Sequence, residues 1–241
     1  MKRVILSMPR QILVSTLSIV AVALALGLAG CGVVGFDTVR GDGKVVTEDR
    51  AFTAEQADGV RSVRLTGSPT VKITVAGDAE PTIKVITDSN IQPLILTDIA
   101  GEEIHVHSDG SYSTSDGVVV EITLPNLAAA HVSGSGDIDV TGLAADSLTA
   151  MIRGSGDITL VGNASDIQLS ISGSGDIDAR NVPAKTATAS ITGSGDIMLF
   201  ASESADLTIT GSGDIDCWGN PSVNMKTTGS GEVTMRSEPK P

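Results

Sequence analysis

Gly154-Ser155-Gly156-Asp157-Ile158 is one of six near-identical phrases in this chain. The others begin at Gly134, Gly173, Gly193, Gly211 and Gly229, and only the last departs, with Glu232 and Val233 for Asp and Ile. Successive copies lie 20, 19, 20, 18 and 18 residues apart. Self-similarity at a near-fixed period of this length marks a solenoid, in which each unit buries its apolar edge only against its neighbours. A single unit offers too few buried side chains to offset the ordering of its own backbone, so only the stack is stable.

The residues around each phrase alternate with period two, which reads as strand with one buried face. Ile167, Leu169, Ile171, Ile177 and Ala179 share one parity, and Gln168, Ser170, Ser172, Asp176 and Asp178 share the other. The second copy repeats this with Leu148, Ala150, Ile152, Ile158 and Leu160. The pattern predicts two short strands flanking a Gly-Ser-Gly corner, with a variable loop joining units. Stacked units then pile like residues about 4.8 Å apart. One inner column is Ile138, Ile158, Ile177, Ile197, Ile215 and Val233, and another is Val132, Ile152, Ile171, Ile191, Ile209 and Thr227. The paired corner glycines are Gly134 and Gly136, Gly154 and Gly156, Gly173 and Gly175, Gly193 and Gly195, Gly211 and Gly213, and Gly229 and Gly231. A tight corner with no room for inward side chains, or with positive φ, calls for glycine at both places. A nucleotide-binding loop is excluded, because the phrase leads into a strand rather than a helix.

Residues 131–237 hold the regular repeats. Residues 58–130 read as a degenerate β section, in which Leu65-Thr66-Gly67-Ser68-Pro69-Thr70-Val71 aligns with Ile209 to Ile215. An irregular first section suits a solenoid end, which must be capped against edge-to-edge association. Residues 31–57 are mixed and polar and read as a tether. Residues 238–241 form a tail too polar and proline-rich to continue a strand.

Residues 1–30 read as a targeting segment. Lys2, Arg3 and Arg10 precede an apolar stretch that ends in Leu28-Ala29-Gly30-Cys31. This resembles a bacterial lipobox, which implies cleavage before Cys31 and acylation (palmitate-type chains included) of its thiol. An ordinary secretory signal, or an anchor helix of about 18 residues, are the alternatives. Two or three acyl chains anchor stably where one does not. Gly32 in the position after the cysteine resembles the sorting pattern that permits export to the outer membrane. The expected location is the bacterial cell envelope, at the outer membrane or facing the periplasm.

The chain carries 16 bases and 29 acids, a formal net charge of −13. Loss of Lys2, Arg3 and Arg10 takes this to about −16. Such a body repels nucleic acid and anionic headgroups. With Cys31 acylated, Cys217 has no disulfide partner and reads as a buried thiol. Aromatics make up only 2% of residues, which a narrow interior filled by Ile, Val, Leu and Ala accommodates.

The repeated phrase, the alternating strands before it and the lipoprotein signal resemble the head GIN domain family of auto-transporter adhesin-like proteins, over roughly residues 58 to 237. The resemblance implies a right-handed parallel β-helix, in keeping with the usual hand of parallel crossovers, and an adhesive role.

The residues best suited to chemistry are the acids that recur beside the corner. Asp137, Asp157, Asp176, Asp196, Asp214 and Glu232 should stack as a ladder. Carboxylates at that spacing repel by about 1 kcal/mol in water, so something must offset the repulsion. Hydrogen bonds from corner amides are one answer, and Ca²⁺ held between turns by hard oxygen ligands is another. Serine catalysis is disfavoured, since only His131 lies near a copy. His105 and His107 share a face and could grip a metal with Glu103 or Asp109. Trp218 and Phe200 lie just past two corners and read as packing residues rather than a sugar platform. The expected function is non-enzymatic: a lipid-anchored solenoid whose repetitive acidic surface serves adhesion or envelope assembly, with an envelope protein or glycan as partner. The rivals are a carbohydrate-active enzyme, which needs convergent acids at one site, and a signalling or scaffold lipoprotein.

Overall fold

The computed structural model describes residues 38–53, 56 and 59–236. The targeting segment, Cys31, Phe36 and the 238–241 tail lie outside the described residues. Among the described residues, seventeen strands and one short 3₁₀ turn, Gln92–Leu94, make an all-β solenoid whose stacked pairings are mostly parallel. In chain order the strands are β1 (Val39–Arg40), β2 (Val45–Arg50), β3 (Ser62–Gly67), β4 (Thr70–Val75), β5 (Thr82–Asp88), β6 (Ile95–Ala100), β7 (Glu103–Ser108), β8 (Tyr112–Ser113) and β9 (Val119–Leu124). They continue as β10 (Ala129–Gly134), β11 (Asp137–Gly154), β12 (Ile158–Gly173), β13 (Ile177–Gly193), β14 (Ile197–Gly211), β15 (Ile215–Trp218), β16 (Ser222–Gly229) and β17 (Val233–Arg236).

The predicted columns are present. Ile138 pairs in register with Ile158, Ile158 with Ile177, Ile177 with Ile197, Ile197 with Ile215, and Ile215 with Val233. Val132, Ile152, Ile171, Ile191, Ile209 and Thr227 form the second column in the same way. Both columns run on into the irregular section, through Val71 and Val120 on one side and Leu65 and Val106 on the other. The Ile rungs are fully buried.

Two readings are corrected. The units are not joined by loops: β11 to β14 each run unbroken from one Gly-Ser-Gly corner to the next. They bend on the far side through bulges, between Val140 and Leu143, Thr159 and Val161, and Ala179 and Pro183. The variation in repeat length is absorbed there, because a bulge adds a residue without disturbing the pairing beyond it. Nor is all of residues 31–57 a tether. β2 pairs antiparallel with β5, and β1 pairs with β8. β2 escaped notice because it is an edge strand exposed along nearly its whole length, so no alternation marks it. Its Glu48, Asp49 and Arg50 are the charges expected on an edge that must not recruit another chain.

The irregular section closes one end out of chain order. β7 and β9 occupy a coil outside β3 and β4, although they follow them in sequence, and β10 then returns to the opposite side of β3. Antiparallel β6 covers β7, while β5 and then β2 cover β9. Across this cap Asp49, Lys84, Glu121, Lys72 and Asp139 sit side by side with alternating sign, and opposite charges on neighbouring strands support the pairing.

Close approach of successive coils, more than positive φ, requires the corner glycines. Gly173 has φ of 146°, which side-chain-bearing residues rarely adopt, whereas Gly175 does not. At both, an added Cβ would run into the carbonyl oxygen of the preceding coil, Gly154 O or Gly156 O. The clash is with the next winding, not the interior: glycine lets coils approach to hydrogen-bonding distance. Cys217 is buried and unpaired among the described residues. Burial pushes its thiol up to about 11. Trp218 is buried too, pairs in register with Phe200, and carries the Arg180 guanidinium 5.9 Å from its ring centre.

Gly175→Ala is expected to cost about 1–3 kcal/mol by overpacking the coil interface. Ser174→Ala, one residue away on the exposed side, should stay within about 0.5 kcal/mol. Urea unfolding midpoints check both. Cys217 should resist a thiol reagent in native protein near neutral pH and react once urea unfolds the chain.

Candidate functional site: the corner ladder and its flanks

The corner is built from three hydrogen bonds per coil. In the third copy, Ser174 N–H donates to Gly154 O at 2.9 Å. Two residues on, Asp176 O accepts the Ile158 N–H of the preceding coil at 2.9 Å. Between them the Asp176 N–H turns to a side chain, donating to Asp157 Oδ1 at 2.8 Å. The same bond runs the length of the stack. Asp157 N–H meets Asp137 Oδ1 at 3.0 Å, Asp196 N–H meets Asp176 Oδ1 at 2.8 Å, Asp214 N–H meets Asp196 Oδ1 at 2.7 Å, and Glu232 N–H meets Asp214 Oδ1 at 2.8 Å.

The ladder is therefore an extension of the backbone pairing. Each Asp carboxylate replaces the carbonyl that the corner turns away, and a charge-assisted bond of this kind offsets part of the repulsion between stacked acids. Its first amide, Asp137 N–H, uses Pro69 O instead, because the degenerate copy has Pro69-Thr70 where the others have Gly-Asp. Oδ1 of Asp137, Asp157, Asp176, Asp196 and Asp214 thus serves as a hydrogen-bond acceptor for the next coil. Among the described residues no group of three or more His, Cys, Asp or Glu could hold a metal ion.

Flanking the corner are two flat faces. On one, outward residues form rows across the coils: Thr66, Ser133, Arg153, Ser172, Thr192, Thr210 and Thr228 in one, and Arg64, His131, Met151, Ser170, Ser190, Thr208 and Lys226 in the next. Ser190 and Ser170 are bonded through their hydroxyls at 3.1 Å. The opposite face bears a groove of about 520 Å³ between Lys72, Glu121, Asp139, Thr141 and Thr159. Its carboxylates are spread along a row of paired charges.

His105 and His107 stack with ring centres 4.4 Å apart. They do not converge on Glu103 or Asp109. His107 Nε2 bonds Asp98 Oδ2 at 2.8 Å, His105 Nε2 meets Thr66 Oγ1 at 2.9 Å, and Glu103 takes both arms of Arg64 at 2.9 Å. Burial, with His107 and Arg64 beside it, holds His105 below the usual imidazole range. Sequence reasoning missed the meeting of Arg64 with Glu103 and His131, which lie far apart in the chain. The alignment of Leu65 to Val71 with a regular copy carried the signal: it places Arg64 in the row that His131 enters one coil later.

Residues 61–221 match the family described as "Putative auto-transporter adhesin, head GIN domain". The chain belongs to that family. No curated protein sequence matches it. Among solved structures, a "putative adhesin" from Bacteroides fragilis is 22% identical with a TM-score of 0.67, covering 82% of this chain and 100% of its own. A "putative adhesin" from Parabacteroides distasonis is 22% identical with a TM-score of 0.52, and a "putative lipid binding protein" from the same organism is 20% identical with a TM-score of 0.50. Each of these two covers 83% of this chain and 100% of its own. At such identities the likeness bears on the fold.

Asp176→Asn keeps an oxygen for the Asp196 amide and should change stability by less than about 0.5 kcal/mol. Asp176→Ala removes it and should cost about 1–3 kcal/mol. Urea midpoints at constant slope distinguish the two. Addition of calcium or of a chelator should leave both the parent and the Asn variant with unchanged Tm.

Proposed function

We propose that this head GIN protein is a non-enzymatic adhesive or assembly module of the bacterial cell envelope, wound right-handed and held to the membrane by acyl chains on Cys31. One observation carries the reading: identical backbone corners repeat in register, so outward rows of Ser, Thr and Asp recur at a fixed step along the stack. A rigid surface with a repeated chemical pattern suits many weak contacts to an extended partner, where the second contact is helped by the first. A sugar polymer or an envelope protein surface has that extended form. Net charge of −13 turns such a surface away from nucleic acid and anionic headgroups.

The fold also suits polysaccharide-cleaving enzymes, but their chemistry needs two carboxylates flanking one bond. Here the corner acids are spaced evenly, and each Asp engages the amide of the coil after it. The scaffold alternative differs from adhesion only in the partner, an envelope protein in place of a glycan, and the same surface would serve both.

Metabolic labelling with an alkyne-tagged palmitate should mark the parent protein and leave Cys31→Ser unmarked and released from the membrane fraction. Beads densely coated with the protein should be retained on bacterial envelopes or a glycan array far more strongly than sparsely coated ones. Retention that is absent, or independent of density, removes the multivalent reading.

A further inference from the structure

All three histidines of the chain, His105, His107 and His131, lie on the face formed by β7, β3 and β10. Arg64 and Arg153 join them there, on β3 and β11. In a protein of net charge −13 this face gathers two guanidinium groups beside three imidazoles, with Glu103 paired to Arg64 and Asp98 to His107. A groove of about 250 Å³ opens in it, lined by Arg64, His131, Val132, Ser133, Met151 and Arg153.

The three polar groups of the groove are in different states. Arg64 is fixed: Glu103 holds its Nε and Nη2 at 2.9 Å each, which orients the remaining guanidinium nitrogen. Arg153 is exposed, and its side chain makes no hydrogen bond or ion pair with any described residue. His131 Nδ1 is buried without a partner. A buried polar atom without a bond costs free energy until something supplies one. An unpaired arginine beside it gives that something a negative charge, since guanidinium matches the two oxygens of an oxyanion.

We infer that this groove is an anion-binding site that takes a carboxylate or sulfate oxyanion, with Arg153 as the charge partner, His131 and Ser133 as hydrogen-bonding groups and Arg64 as a prepositioned second cation. The groove lies just below the usual size of drug-sized pockets, which limits the occupant to one small unit. An acidic sugar residue fits: Met151 offers an apolar edge to a ring, and Ser133 a hydroxyl to its hydroxyls. The site stands without the adhesive reading, since it needs neither repetition nor a surface partner.

The charges that act on His131 are Arg64 from β3, Glu103 from β7 and Arg153 from β11, while His105 lies beyond Arg64 on β7. Burial first, then Arg64, holds the His131 imidazole below its ordinary range, with Glu103 opposing and Arg153 adding. A bound anion neutralises the Arg153 charge and favours the protonated ring, so binding takes up a proton. By linkage, affinity rises as the pH falls through the titration of His131.

The test is a titration of the full chain with sodium glucuronate, sodium sulfate and glucose, read by the histidine ring resonances at about pH 6 and about pH 8. The His131 resonance should move saturably with an anion, and more tightly at the lower pH. Arg153→Gln should weaken binding by about tenfold or more, and Arg153→Lys should retain part of it. Glucuronate binding tighter than sulfate identifies an acidic sugar as the occupant, whereas sulfate binding equally or more tightly identifies a free inorganic oxyanion. No saturable shift with either anion, an equal shift with glucose, or undiminished binding in Arg153→Gln would falsify the site. Affinity that does not change with pH removes His131 from it.

Discussion

The bond from one corner amide to the carboxylate of the coil before it is the constraint on which the rest depends. A parallel stack pairs backbone with backbone along straight segments, but a corner turns some carbonyls away. Here the Asp176 amide would be left over, and Asp157 answers it from the side chain. The answer works only if successive corners superpose closely, and glycine on either side of Ser174 allows that approach. Composition, spacing and charge thus share one cause. An acid recurs at each corner because its carboxylate meets the amide of the next winding, and the glycines are paired because each corner must pass close to the last.

The interior follows from the corners. Once these are in register, Ile177 can only lie over Ile158, and Ile171 over Ile152. Slipping by one residue would exchange every buried and exposed side chain. A narrow aliphatic interior is then sufficient, and large rings are marginal: Trp218 sits at the rim, under Arg180.

The repeats were legible because period and alternation survive in linear sequence. Six phrases gave the register, and alternation gave the buried face. The ladder was legible as an amide acceptor or a calcium ligand, and the distances show the amide bonds. The cap was not legible. β7 and β9 pair with β3 and β4 from the outside, a reversal of chain order that no local pattern records. β2 was hidden by its exposure, since a strand without a buried face shows no period. The continuous strands of the far side were read as loops because bulges at Thr159 to Val161 and Ala179 to Pro183 break the alternation there. The basic groove was missed for want of a tertiary map: Arg64, His131 and Arg153 come from three different windings.

The bulges give the molecule two unlike sides, as a bound book has a spine and a fore-edge. Along the spine a change in one winding is felt by the windings above and below. Along the fore-edge, Val140 to Leu143 and Ala179 to Pro183 already differ in length while the columns stay aligned. New residues can therefore be written into that margin one leaf at a time without rebinding the volume.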